Sequence, residues 1–138
     1  MDSKRPFSDA IERLKEVGLR PTRQRLALAR LLFESGDRHV TAEQLHNEAL
    51  GADSRVSLAT VYNTLNQFTE AGLLREVVVE PGRSYFDTNT GNHHHFYHEH
   101  SGELRDIPSE EIELQKLPAP PSGQAIRRVE VIIRVEDK

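Results

Sequence analysis

The run Gly91-Asn92-His93-His94-His95-Phe96-Tyr97-His98-Glu99-His100-Ser101-Gly102 holds most of the chain's ligand chemistry. Five of the seven histidines fall within it. Imidazole binds transition metals at neutral pH, and a run placed mid-chain is not a terminal purification tag. Phe96 and Tyr97 inside it, with Tyr85-Phe86 before and Glu103-Leu104 after, predict strand rather than loop. Alternation then puts His93, His95 and Tyr97 on one face and His94, Phe96, His98 and His100 on the other. A His-x-His pair on one strand face spaces two imidazoles roughly 6.5–7 Å along the chain, close enough to converge on one ion or on an iron porphyrin. A merely solvated polar strand is the competing reading, and the rarity of histidine argues against it.

The segments that must position this run come before it. Ser8 can cap a helix with Ile11, Leu14 and Val17 inward, closed by Gly18. Thr22 can cap a second, with a broad apolar face from Leu26 to Phe33, ended by Gly36. Thr41 starts a third with Gln44 at the capping-box position, stopped by Gly51. Ser57 caps a fourth carrying Leu58, Val61, Tyr62, Leu65 and Phe68, closed at Gly72. Leu73 to Val79 and Ser84 to Asp87 read as two strands joined by the turn Glu80-Pro81-Gly82-Arg83. Helices followed by a hairpin are the element order of a winged helix-turn-helix, in which the helix before the hairpin enters the major groove. Beyond the histidines, Ser109 to Leu117 reads as a helix with acids in its first turn, stopped by Pro118, and Ile126 to Val135 as a closing strand. The expected architecture is α+β: a winged-helix DNA-binding domain over residues 1–88 and a small α/β domain over 89–138.

Composition narrows the classes. The net charge of −4 gives no global case for nucleic-acid binding. Locally, however, Arg13, Lys15, Arg20, Arg23, Arg25 and Arg30 face a single acid, Glu16, an excess that can neutralise phosphates. On the fourth helix Ser57, Ala59, Thr60 and Asn63 are short enough to approach base edges; Ala59 and Tyr62 could meet thymine methyls and Asn63 could read adenine. With no cysteine, neither a disulfide nor a thiolate zinc site can form. No apolar run approaches the ~20 residues of a membrane span, and Met1-Asp2-Ser3-Lys4-Arg5 leads into no secretory core, so a soluble, cytoplasmic protein without membrane partners is expected. A modest hydrophobic content of 36% suggests that a second subunit completes part of the core. No nucleophile–base pair argues for an enzyme, and a metal or haem storage protein would not need the basic first third.

Four segments carry a resemblance. Gly18-Leu19-Arg20-Pro21-Thr22-x-x-Arg25, His39-Val40-Thr41-Ala42-Glu43, Ser57-Leu58-Ala59-Thr60-Val61-Tyr62-Asn63-Thr64-Leu65 and the histidine run stand in the order and spacing of the ferric uptake regulator family. The missing cysteines and triple histidine look most like its iron response regulator branch, which senses iron through haem. The resemblance implies a homodimer that binds AT-rich palindromic operators through the winged helix and pairs through the C-terminal domain, mainly as a repressor of iron and haem metabolism genes.

Carried over by position, it implies a regulatory site for Fe, Mn or Zn at His39, Asp87, His93 and His95, with Asp106 as a fifth ligand; Asp87 stands where the family usually has glutamate. A second family site maps onto Asn92, His94, Glu113 and Val129 and is expected to be absent or weak. The structural zinc cysteines map onto His98 and Ser101, so no structural zinc is expected. Haem is expected at His93, His94 or His95, where Phe96 and Tyr97 could stack on it; His46 could serve a second haem, with a solvated surface histidine as the competing reading. The implied function is operator binding when iron is scarce and release by haem; a metal-ion corepressor without haem sensing is the alternative. DNA contacts are expected from Arg20, Thr22, Arg25, Ser57, Ala59, Thr60, Tyr62 and Asn63, with Arg20 suited to a narrow minor groove; Asn63 stands where the family usually has arginine.

Overall fold

A computed structural model describes residues 8–138, except the side chain of Ser8. The Met1 to Arg5 segment and the capping role expected of Ser8 therefore lie outside the described residues. The chain divides into two compact units, one ending at Thr90 and the other beginning at Gly91. Among the described residues no helix is long and apolar enough to cross a membrane.

In the first unit, capping residues set the helix starts. Helix α1 (Ser8–Glu16) leads to α2 (Arg23–Phe33), where the Thr22 hydroxyl accepts from the Arg25 N–H at 3.3 Å. Before α3 (Ala42–Gly51), Thr41 and Gln44 cap each other: the Gln44 N–H donates to Thr41 Oγ1 at 3.1 Å and the Thr41 N–H to Gln44 Oε1 at 2.9 Å. Gly51 remains helical; the left-handed residue past the helix end is Asp53, with φ of 62°. Helix α4 (Leu58–Glu70) starts at Ser57, whose Oγ accepts the Thr60 N–H at 3.0 Å. One core joins all four helices, with Leu14, Leu28, Leu45, Val61, Leu65 and Phe68 wholly removed from solvent. Each such side chain contributes roughly 1.5–3 kcal/mol of transfer free energy.

Strands β2 (Arg75–Glu80) and β3 (Arg83–Asp87) form the expected antiparallel hairpin, turning at Pro81-Gly82, where Gly82 has φ of +76°. A third strand was not anticipated: β1 (His39–Val40) pairs with β3 and makes the order β1-β3-β2. Two residues are too few to show a period of two, so only the pairing reveals it. Helices followed by this small sheet form a winged helix.

The second unit is a three-stranded sheet of order β5-β4-β6. Strand β4 (His93–His98) runs antiparallel to β5 (Leu104–Pro108) and parallel to β6 (Ile132–Val135). Tyr97, Leu104 and Ile107 are buried in it. The helix expected over Ser109 to Leu117 is instead a single 3-10 turn, Ser109–Glu111. Its sequence favours helix, but so short a helix is marginal in water without a face to bury, and Leu114 and Leu117 stay 46% and 47% exposed. The closing strand likewise begins at Ile132 rather than Ile126, which is itself exposed.

Candidate metal centre and nucleic-acid interface

In the second unit, β4 presents His95 directly opposite Asp106 of β5, and His93 opposite Pro108. Directly opposed residues share a face, with Cβ atoms roughly 4.5–5.5 Å apart. His95 Nε2 lies 3.3 Å and His93 Nε2 3.7 Å from Asp106 Oδ1, and the two rings sit edge to face with centroids 4.6 Å apart. The sequence-based expectation of 6.5–7 Å is thus shortened, because the rings lean toward each other. Candidate ligand atoms of His93, His95 and Asp106 lie within 4.8 Å of one another.

The hydrogen-bond partner of His93 decides its tautomer. Its Nδ1 stands 2.8 Å from the Gly91 carbonyl oxygen. A carbonyl can only accept, so Nδ1 carries a proton, and Nε2, on the side of Asp106, is the nitrogen available to ligate. Metal-bound histidines are oriented in this way, one nitrogen donating and the other ligating. Two imidazole nitrogens suit Zn or Fe, and a carboxylate oxygen beside them also admits Mn. The residues therefore fit a metal ion.

The other face of β4 is differently engaged. His94 Nδ1 accepts the Val131 N–H at 3.1 Å. His98 Nδ1 accepts the Ser101 N–H at 3.0 Å, and its Nε2 reaches Asp137 at 3.1 Å; His100 lies beyond the strand. For haem the fit is poor: His93, His94 and His95 are 6%, 9% and 1% exposed and offer a porphyrin no open face. Phe96 and Tyr97 point to opposite sides of the strand and cannot stack on one ring, a correction that follows from alternation itself. Tyr97 is fully buried, with the Arg134 guanidinium 5.6 Å above its ring.

The first unit holds the remaining expected metal residues on its own sheet. His39 of β1 pairs across from Asp87 of β3, and its ring packs edge-on against Tyr85 at 6.0 Å. Asp87 Oδ1 accepts the Asn89 N–H at 2.9 Å. Both elements are tied down by Arg38, whose backbone N–H donates to Thr88 Oγ1 and whose carbonyl accepts the Thr88 N–H, each at 2.9 Å. His46 on α3 has Nε2 engaged by the Val56 carbonyl at 3.1 Å, well away in sequence from the histidine run.

On the nucleic-acid side, Ala59, Tyr62 and Asn63 form an exposed stripe along α4. Asn66 extends it, a residue missed in the sequence although it stands seven positions, or two helical turns, after Ala59. Thr60 does not join that stripe: it is half-buried, and the Ser57 hydroxyl donates to its Oγ1 at 2.9 Å. Arg20 and Thr22 are exposed. The Arg25 guanidinium is instead tied within the unit, donating to Gln67 Oε1 at 3.1 and 3.3 Å and to the Arg20 carbonyl at 3.0 Å. Tyr62 donates its hydroxyl to Glu43 Oε2 at 2.7 Å, and that bond raises the phenol pKa above its ordinary value, with partial burial and the carboxylate charge adding to the effect. Sequence reading also missed Glu43, which signals nothing without its partner.

The profile of the Ferric uptake regulator family matches residues 16–133. A ferric uptake regulation protein of Vibrio anguillarum is 36% identical over 108 residues, which span 78% of this chain and 72% of that one. The peroxide operon regulator of Bacillus subtilis is 38% identical over 101 residues, 73% of this chain and 69% of its own. Among solved structures, the ferric uptake regulator of Pseudomonas aeruginosa with manganese superposes with a TM-score of 0.73 at 29% identity, covering 94% of this chain and 98% of its own. A zinc-bound manganese uptake regulator gives a TM-score of 0.70 at 30% identity, covering 94% and 99%. The expected fold class, α+β with a winged-helix domain followed by a small second domain, is the one these structures share.

Proposed function

Because the chain belongs to the ferric uptake regulator family, whose members are metal-responsive transcription regulators rather than enzymes, we propose that it is a homodimeric repressor whose grip on operator DNA is set by a divalent metal ion. The observation that carries this reading is the convergence of His93 Nε2, His95 and Asp106, with His93 in the ligating tautomer. His39 and Asp87, paired on the sheet of the winged-helix unit, supply the remaining ligands. Asp87 ends β3, and only Thr88 to Asn92 separate it from His93. Binding of the ion would supply the charge that sets the chain's grip on operator DNA.

DNA contacts come from Arg20, Thr22, Ser57, Ala59, Tyr62 and Asn63, with Arg25 holding α2 to α4. The operator is AT-rich, since Arg20 suits a narrow minor groove. Support for the dimer lies in the second unit, whose single chain leaves Phe96, Leu114, Leu117, Ile126 and Ile133 exposed. A truncation ending near Asp87 should therefore sediment as a monomer, and a dimeric truncation would refute this assignment.

The finer reading, in which the operator is bound while iron is scarce and haem at His93–His95 releases it, draws its support from three adjacent imidazoles, which must first be uncovered. One titration separates the two. Chelated protein is mixed with operator duplex, and Mn, Zn, Fe or haem is added. Metal-ion control predicts binding restored by the ion in wild type and not in His93→Ala/His95→Ala. Binding that needs no ion and is abolished by haem would replace it with the haem reading.

A further inference from the structure

Glu43 is the second residue of α3, held in place by the mutual capping of Thr41 and Gln44. Its carboxylate has no hydrogen to give, so the 2.7 Å contact is donated by Tyr62. A phenol has one hydrogen, and here it points at Glu43. What Tyr62 can offer elsewhere is a lone pair on oxygen and the apolar edge of its ring. Tyr62 is 40% exposed, beside a hollow of about 620 Å³ shared with Asn66, Arg83 and Ser84.

We propose that Glu43 is the positioning residue that sets what Tyr62 reads: it restricts the phenol to accepting, and so makes α4 select A·T over G·C pairs where Tyr62 meets the major groove. This rests on the DNA-binding reading above. Adenine presents an amino group at N6, which a lone pair can receive, and its thymine partner presents a methyl group for the ring edge. Guanine presents O6 and N7, both acceptors, which face the phenol oxygen lone pair to lone pair and meet the negative charge of Glu43. Cytosine has an amino group but no methyl. Without Glu43 the phenol is free to turn its hydrogen toward guanine, and the discrimination is lost. The carboxylate also repels phosphate, which keeps this part of the helix on base edges rather than on the backbone.

The test is selection from a pool of randomised duplexes by the full-length chain, loaded with Mn or Zn, as wild type, Glu43→Ala, Glu43→Gln and Tyr62→Phe. Wild type should favour A·T at one position of each half-site by roughly tenfold, the scale of one good base contact. Glu43→Ala should lose that preference, while Glu43→Gln, whose amide oxygen still accepts the phenol hydrogen, should keep it. Tyr62→Phe should weaken it. Circular dichroism spectra of the four chains should coincide, which a damaged fold would not allow. Identical preferences for wild type and Glu43→Ala, or a Glu43→Gln variant as indiscriminate as Glu43→Ala, would overturn the role of Glu43 alone. A wild type that binds no duplex would overturn the DNA-binding reading beneath it.

Discussion

Arg38 grips Glu48 through both ends of its guanidinium, at 2.8 and 2.6 Å, while the same group donates to the Leu31 carbonyl at 3.1 Å. A planar fork matched to a carboxylate is geometry that lysine cannot reproduce, and the bond to Glu48 raises the Arg38 pKa despite partial burial. The contact ties the end of α2 to α3 beside His39. Both side chains are about a third exposed, so solvent reduces the gain. Arg38→Met should cost ~1 kcal/mol in urea denaturation. An unchanged midpoint would mean the pair is ornamental.

Tyr62 should ionise later than an ordinary tyrosine. Because its folded pKa is raised, the pair with Glu43 favours the folded state below the usual tyrosine value near 10. That contribution disappears as pH climbs through the raised value. Ultraviolet titration of the phenols checks this: Tyr62→Phe should remove a late component, and Glu43→Ala should bring it earlier. Superimposable curves for wild type and Glu43→Ala would refute the coupling.

Arg20 and Arg25 should fail differently. Arg20 is exposed, so Arg20→Ala should lower the salt dependence of DNA binding by about one phosphate contact. Arg25 donates within the protein, so Arg25→Ala should leave that slope alone and lower thermal stability instead. The slopes of affinity against salt concentration decide it, and equal changes in both variants would reject the distinction.

His95 is expected to matter more for metal than any residue behind it. His95→Ala should weaken Mn or Zn binding by more than the roughly 10–100-fold that loss of an outer hydrogen-bond partner costs. Asp106→Asn, which keeps an oxygen but loses the charge, should fall between. Competition with a coloured chelator measures both, and circular dichroism reports whether the sheet survives. Wild-type affinity in His95→Ala would remove this residue from the site.

Replacing Ser57 by alanine should destabilise the winged-helix unit by about 1 kcal/mol, the usual loss for an N-cap. Its hydroxyl both accepts from the Thr60 N–H and donates to the Thr60 hydroxyl. Thermal denaturation of the full chain reads the change, and Ser57→Asp, which can still accept, should recover most of it.

Local chemistry was the legible part of this chain. Thr22, Thr41 and Ser57 announce helix starts because a hydroxyl before an apolar period has one common use, and Pro81-Gly82 announces the hairpin. The alternation of the histidine run placed His93 and His95 on one face. What local reading could not place was pairing across distance; only the family resemblance grouped His39, Asp87, His93, His95 and Asp106. His39 meets Asp87, and His95 meets Asp106, through strand registers that no local window encodes. Propensity misled at Ser109 to Leu117, where helix-favouring residues form only one 3-10 turn and leave Leu114 and Leu117 exposed. Composition misled at Arg25, a cation that reads as a phosphate contact until Gln67 and the Arg20 carbonyl are seen beside it.

The parallel pairing of β4 with β6 has a kinetic consequence. His95 cannot gain Ile132 as its neighbour until the chain from Glu99 to Val131 has come round, a stretch that carries β5 and one 3-10 turn and then runs irregularly from Ile112 to Val131. Closing so long a loop costs entropy before any ladder bond repays it. The winged-helix unit, built from neighbours in sequence, can assemble as it leaves the ribosome. The sheet bearing the histidines can be completed only once β6 has been synthesised. A nascent chain thus acquires its means of holding DNA before its means of sensing a metal.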